Sequence, residues 1–329
     1  MATIASPAPY ADLTPPCIED ALDSVGIRGD GRLLALNSYE NRVYQAWCED
    51  GPPVVAKFYR PGRWSDAQIL EEHAFVDELA AAEVPAVAPL RLAQRTLHTF
   101  AGFRFAVYPR RGGRAPDLDV RGTLAHLGRY IARIHTVGAA RAFAQRPALT
   151  VEAFGDESRA YLLEHRFVPA DLVAPWTAIA HLALAGVRRA FDRVRVVALR
   201  LHGDCHGGNV LWTDEGPHFV DFDDARMGPA IQDLWMLLSG SRAAMEEQLR
   251  ELLEGYESFR DFDRRELALI EPLRTLRLLH YSAWIARRWD DPAFPAAFPW
   301  FGSQRYWQDR ILELREQVAL MDEPPLAVP

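Results

Sequence analysis

The apolar positions change their period near Arg114. Before that point short β-like runs dominate. Residues 30 to 60 are rich in strand-forming side chains. Arg42 to Cys48 predicts a strand, Glu49-Asp50-Gly51-Pro52-Pro53 a turn, and Val54 to Tyr59 the returning strand. A helix follows, with Ser65 placed to cap it and Gln68 three residues on to complete a capping box. Ile69, His73, Val76 and Leu79 fall on one face of that helix, and Val84-Pro85 breaks it. Thr96 to Tyr108 predicts a second hairpin turning near Ala101-Gly102. Beyond Arg114, helical patterns run roughly over 121–137, 157–166, 175–195, 230–257 and 264–288, with a last one near 304–320. One β-like stretch, 199–222, rich in Gly, Asp and His, interrupts them.

The pattern predicts an α+β, two-lobed chain: a small β-rich N-lobe with one helix, then a larger helical C-lobe carrying an inserted hairpin. The boundaries expected are 1–25 for an N-terminal extension, 26–110 for a nucleotide-binding N-lobe, 111–320 for a catalytic and substrate-binding C-lobe, and 321–329 for a tail. The Pro/Ala-rich first sixteen residues and the closing DEPPLAVP read as loose ends. At 329 residues the chain is too long for one small core, and it shows no internal repeat.

Composition narrows the function classes. No run of about 18 apolar residues is present, so no membrane span is expected. The first sixteen residues lack the basic start and apolar run of a signal peptide, so a cytoplasmic location is expected. The net charge of −8 argues against a non-specific nucleic-acid binder. Cys17, Cys48 and Cys205 give neither a disulfide framework nor a CxxC pair. Nothing in the sequence demands an oligomer, and a monomer is expected.

The chemistry concentrates in Leu201-His202-Gly203-Asp204-Cys205-His206-Gly207-Gly208-Asn209-Val210-Leu211-Trp212 and, after a turn, His218-Phe219-Val220-Asp221-Phe222-Asp223-Asp224. Phosphoryl transfer needs a group that orients the attacking hydroxyl and accepts its proton, and hard oxygen ligands for Mg2+. Asp204 sits in a glycine-containing loop where a carboxylate can face a substrate. Asn209 starts the following strand and Asp221 ends the next. Antiparallel pairing would bring those two to the same end, within reach of one metal ion.

The spacing HGDxxxxN followed by V-D-F-D resembles the aminoglycoside phosphotransferase and choline kinase-like superfamily. LNSYENRVYQ, ILEEHAFVDEL, LHGDCHGGNVLW and FVDFDDARMGPAIQDLWML resemble, more narrowly, the bacterial stress response kinase A family, from about Leu36 to Trp307. The resemblance implies a protein-kinase-like fold and an ATP- and Mg2+-dependent kinase directed at serine or threonine of proteins. It implies Asp204 as catalytic base, Asn209 and Asp221 as metal ligands, and Lys57 on VVAKFY as the lysine that holds the α- and β-phosphates. Glu72 is its expected partner, with Glu71 the alternative. A lysine inside an apolar strand needs a carboxylate or phosphate opposite it in any case. The resemblance further implies that Asp233 braces the catalytic loop.

The chain departs from protein kinases in two places. Asn37-Ser38-Tyr39-Glu40-Asn41 stands where a GxGxxG loop would be, so Ser38 and Asn41 are candidate side-chain donors to the phosphates. There is no APE motif and no long segment after Asp221. The lobe joint at Val107, Tyr108 and Arg110 is expected to meet adenine through backbone groups.

Other readings compete. The acceptor could be a small amino alcohol or sugar, or the chain could be a nucleotide-binding scaffold without catalysis. His202-x-Asp204-x-His206 could hold a transition metal. Asp223 shares the face of Asp221 if the strand continues, which would bring it near the metal. The aromatic residues from Trp284 to Trp307 read as a core between C-terminal helices more readily than as a substrate groove.

Overall fold

The computed structural model describes residues 9–328. In chain order the first half contains α1 (Pro15–Asp23), β1 (Gly29–Ala35), β2 (Arg42–Cys48), β3 (Val54–Phe58), α2 (Asp66–Ala81), β4 (His98–Phe100), β5 (Phe103–Pro109), α3 (Thr123–Ala139) and α4 (Glu157–Glu164). There follow α5 (Val173–Val194), β6 (Leu199–Leu201), β7 (Val210–Thr213), β8 (Gly216–Phe219), β9 (Arg226–Gly228), α6 (Ile231–Trp235), α7 (Arg242–Tyr256), α8 (Ile270–Ala286), α9 (Ala293–Ala297) and α10 (Gln304–Met321).

The chain divides into two compact units. One holds the residues up to 116 together with 144–146 and 208–223; the other holds 117–143, 147–207 and everything from 224 on. Residues 208–223, expected among the C-lobe residues, thus group with the N-terminal unit. The reason is local pairing. Val87 and Phe219 exchange backbone contacts with their neighbours across Pro85 to Val87, and Arg114 pairs with Trp212.

The first unit is built on a five-stranded antiparallel sheet in the order β1-β2-β3-β5-β4. Phe58, Phe105 and Val107 form its core with Ile18 and Leu22 of α1. The N-terminal segment is therefore anchored from Tyr10 on, because Leu13 and the apolar face of α1 are buried against the sheet. The expectation of a loose end over the first sixteen residues therefore fails from Tyr10 on, and its part over residues 1–8 lies outside the described residues. Thr14 caps α1 and Pro15 opens it, where a missing N–H costs nothing. On α2, Ser65 Oγ accepts from Gln68 N at 3.2 Å and Gln68 Oε1 accepts from Ser65 N at 2.9 Å, a complete capping box.

The second unit is helical, with the short pair β6–β9 inside it. Helices α3 and α7 approach so closely that a Cβ on Gly255 would lie 1.8 Å from Ala125 O. The pattern over 230–257 gives two helices rather than one. Gly240, at φ +88°, breaks the run, and Ser241 caps α7. Residues 264–288 open with a 3-10 turn over Arg264–Leu269 before α8. The aromatic residues of the C-terminal helices are mostly core: Trp307 and Phe294 are fully buried, and Trp307 packs edge-on to Trp176 at 6.0 Å. The tail is docked rather than loose. Leu326 is buried, and Arg242 donates to the carbonyls of Pro324 and Pro325.

Candidate active site

Lys57 stands inside β3 with its side chain 8% exposed. An ammonium that deep requires compensating charge, and two carboxylates supply it. Nζ donates to Asp221 Oδ1 at 2.9 Å, and Asp223 Oδ1 lies 3.1 Å away as an ion pair. Burial alone would lower the lysine pKa, but the charges of Asp221, Asp223 and Glu72 outweigh it and hold the pKa well above its usual value.

Both acids arrive on the turn after the β7–β8 hairpin. Val210 pairs with Phe219, and Val220 N donates to Asn209 O, so Asn209 and Asp221 flank the same end of the hairpin. Asp221 holds φ at +59°, a backbone region that few non-glycine residues adopt. Beyond it the chain turns into a 3-10 helix over Phe222–Asp224 instead of continuing as a strand. Asp223 still reaches the site, by that turn and not by strand alternation. It is 3% exposed and held by Arg63 and by Asn41 Nδ2 at 3.3 Å.

Glu72 of α2 is 2% exposed, and its Oε2 has no hydrogen-bond partner. Burial pushes its pKa up to about 7 against the opposing charges of Lys57 and Arg146. Lys57 is thus paired with Asp221 and Asp223, where the sequence expected Glu72. Glu71 is engaged elsewhere. Its carboxylate accepts from the backbone N–H groups of Ala144, Gln145 and Arg146 at 2.6, 2.8 and 2.8 Å, which fastens that segment to α2.

A cavity of about 390 Å3 opens beside these groups, within the range of small-ligand sites. Lys57, Glu72, Asn209 and Asp221 line it, as do Ser38, Tyr108 and Arg110. Two residues expected at the nucleotide are spent differently. Asn41 is buried, accepting from Arg60 N at 3.1 Å while donating to Asp223, so it braces the acid. Val107 puts its side chain in the core, and its carbonyl accepts from Leu90 N at 2.6 Å. Tyr108 is steadied by a hydroxyl contact to Tyr59 at 3.0 Å, and Tyr59 in turn meets His73 Nε2 at 2.7 Å.

Asp204 belongs to the other unit, on the loop after β6. Asp233 of α6 shapes that loop: its carboxylate accepts from His202 N at 2.8 Å and Gly203 N at 2.9 Å and also contacts His135 Nε2 at 3.1 Å. Gly203 has φ +87°, and a Cβ there would meet Asp224 O at 2.1 Å, so the turn before Asp204 requires glycine. His202 is fully buried, and its Nδ1 accepts from Asp204 N at 3.4 Å. That position removes it from any metal site with Asp204 and His206. Among the described residues no group of three or more His, Cys, Asp or Glu is arranged to hold a metal. Cys205 is buried, and burial with the nearby acids pushes its thiol pKa well up, which unfits it as a nucleophile.

The sequence reading missed Arg277. Its Nη1 donates to Asp204 Oδ1 at 2.7 Å, with His206 Nε2 at 3.4 Å from the other carboxylate oxygen. Burial would raise the Asp204 pKa, but the hydrogen bond from His206 and the charge of Arg277 reverse this and hold it below the usual value. No local signal announces a partner that comes from 73 residues downstream.

A β-sheet lysine facing acids on a post-hairpin turn, together with an aspartate loop braced by a buried acid, defines a kinase-like phosphotransferase. Residues 32–270 match the model of the phosphotransferase enzyme family, and the chain belongs to that family. Stress response kinase A of Escherichia coli O157:H7 is 47% identical over 317 residues, covering 96% of both chains. A Salmonella typhimurium relative that is 46% identical over the same length is named serine/threonine protein kinase RdoA. The protein is a kinase, and it resembles stress response kinase A along nearly its whole length. Among solved structures, amicoumacin kinase superposes with TM-score 0.72 at 20% identity over 93% of each chain. A microcompartment-associated aminopropanol kinase superposes with TM-score 0.70 at 18% identity over 94% of this chain and 97% of its own. Both share the two-lobed α+β fold.

Proposed function

We propose that the protein transfers the γ-phosphoryl of ATP to serine or threonine hydroxyls of proteins. The observation that carries the proposal is the Lys57–Asp221–Glu72 cluster lining a cavity of nucleotide size. The substrate class rests on the serine/threonine kinase name of the 46% identical relative. Lys57 would hold the α- and β-phosphates, exchanging the Asp221 carboxylate for phosphate oxygens. Asn209 and Asp221 offer the hard oxygen donors that Mg2+ takes, and the Asp221 side chain is 52% exposed. The bound cation would neutralise charge on the phosphates. Asp204 orients the acceptor hydroxyl and accepts its proton as the new O–P bond forms; ADP leaves. Ser38, Tyr108 and Arg110 line the rest of the nucleotide cavity.

The second reading is a small-molecule kinase, favoured by the short path from Asp221 to α6, only residues 222–230, which offers no long platform for a polypeptide. Among the described residues no helix is long and apolar enough to cross a membrane. Incubation with radiolabelled ATP, Mg2+, protein acceptors and a panel of small alcohols separates the two readings. Label on serine or threonine supports the first; label confined to an alcohol overturns it.

A further inference from the structure

In the unit that carries Asp204, a cavity of about 580 Å3 is bounded by α8 and α10. Arg274 and Arg277 project from α8 three residues apart, hence on one face. Glu313 and Glu316 project from α10 with the same spacing. Trp235 and Tyr281 add aromatic surface. The cavity is thus cationic along one helix and anionic along the other.

The two arginines differ. Arg274 is held by Glu271 at 2.8 Å, both side chains being largely buried. Arg277 is 45% exposed, and its partner is Asp204 itself. It therefore belongs at once to the cavity wall and to the base. Taking Asp204 as that base, as proposed above, we infer that Arg277 is a specificity-determining residue that selects acceptors whose reacting hydroxyl has an acidic group beside it and a basic group farther off.

A carboxylate gripped by a guanidinium is a weaker proton acceptor. Arg277, His206 and Asp224 are among the groups that act on Asp204, and the first two hold its pKa down. A carboxylate or phosphate on the acceptor offers Arg277 a bidentate partner of its own. The guanidinium then turns toward the ligand and leaves an Asp204 oxygen for the hydroxyl proton. A basic group in the same place would meet two arginines. The α10 side has the opposite preference: Glu313 is paired with Arg310, whereas Glu316 is exposed and takes the distal cation. In a protein acceptor this describes a serine or threonine next to an acidic residue, with a basic residue further along the chain.

The test uses the full-length protein and matched serine peptides: acid near and base far, the charge-swapped order, and a neutral peptide, alongside small hydroxy compounds carrying the same groups. Wild type should favour the acid-near acceptor at least tenfold in kcat/KM over the swapped one. Arg277→Ala should abolish that ratio and move the acidic limb of the pH profile upward, as Asp204 regains basicity. Arg277→Lys should restore part of the ratio, and Glu316→Lys should erase only the preference for the distal base. An unchanged ratio in Arg277→Ala overturns the inference, because a merely structural arginine would alter rates without altering the ratio between acceptors. If no acceptor is labelled while Asp204-dependent ATP turnover persists, the inference fails and the kinase reading stands. If ATP turnover is also absent, the reading beneath it fails too.

Discussion

Lys57 Nζ lies 2.9 Å from Asp221 Oδ1, so the residue assigned to phosphate and the residue assigned to metal hold each other. With Asp223 at 3.1 Å, one ammonium serves two acids, one of them almost fully buried. Replacing Lys57 by Met leaves Asp223 and Glu72 as buried carboxylates without a cation from β3. Removal of one partner of a buried pair costs about 3–5 kcal/mol. The exposed Asp221 can rehydrate, which puts the expected loss near the lower end. Nucleotide affinity should fall at least tenfold as well. Denaturant unfolding and titration with a fluorescent nucleotide check the two effects separately.

Glu71 and Glu72 are neighbours in sequence with opposite assignments. Glu71 fastens residues 144–146 through three backbone N–H groups, whereas Glu72 lines the cavity proposed for the nucleotide. Glu71→Ala should lower stability by about 1–3 kcal/mol through unsatisfied donors and spare nucleotide affinity. Glu72→Ala should do the reverse, because it removes a buried oxygen that has no partner. Equal effects of the two substitutions on nucleotide binding would contradict the assignment.

Asp233 is fully buried and accepts from the two backbone N–H groups that precede Asp204. Asp233→Ala should slow transfer strongly at saturating nucleotide and cost on the order of 2–5 kcal/mol of stability, since buried backbone donors are left unmet. Its effect on nucleotide Kd should stay small. A variant with normal kcat would remove Asp233 from the support of the loop.

Much of this was legible in short segments. The hairpin over Arg42 to Phe58, the capping box at Ser65 and Gln68, and the placement of Asn209 and Asp221 at one hairpin end all follow from residues close in sequence. What stayed hidden depends on distant partners. Asn41 looked like a phosphate donor because it stands where a glycine-rich loop would be, but it spends its amide on Asp223, 182 positions away. Val107 reads as a hinge residue from its place at the lobe joint, yet it lies inside β5 and Leu90 takes its carbonyl. The β9 strand is three residues long and exists by pairing with β6 on one side and bridging to Ala148 on the other. The tail looks polar and proline-rich, but Leu326 finds a buried site.

Glu266 gives a pH dependence away from the site. It is 5% exposed, its Oε2 accepts from Ile231 N at 2.9 Å, and burial raises its pKa from 4.5 to about 7. The folded state therefore binds the proton more tightly than the unfolded one. Stability from this group is full below about pH 4.5 and declines as pH rises through about 7. The total change is about 3 kcal/mol. Glu266→Gln should flatten the decline between those limits, as read by urea unfolding at a series of pH values. A decline identical to wild type would assign it to other groups.

Asp204 is proposed as the base of a phosphotransferase whose nucleotide is held by Lys57 and Asp221. The most direct test is the single-turnover rate of Asp204→Ala against wild type, with nucleotide Kd measured on the same samples. Loss of a positioned base costs about 100- to 10,000-fold, so transfer should fall by that much while Kd moves no more than a few fold. Transfer at the wild-type rate with Asp204 replaced would contradict the account.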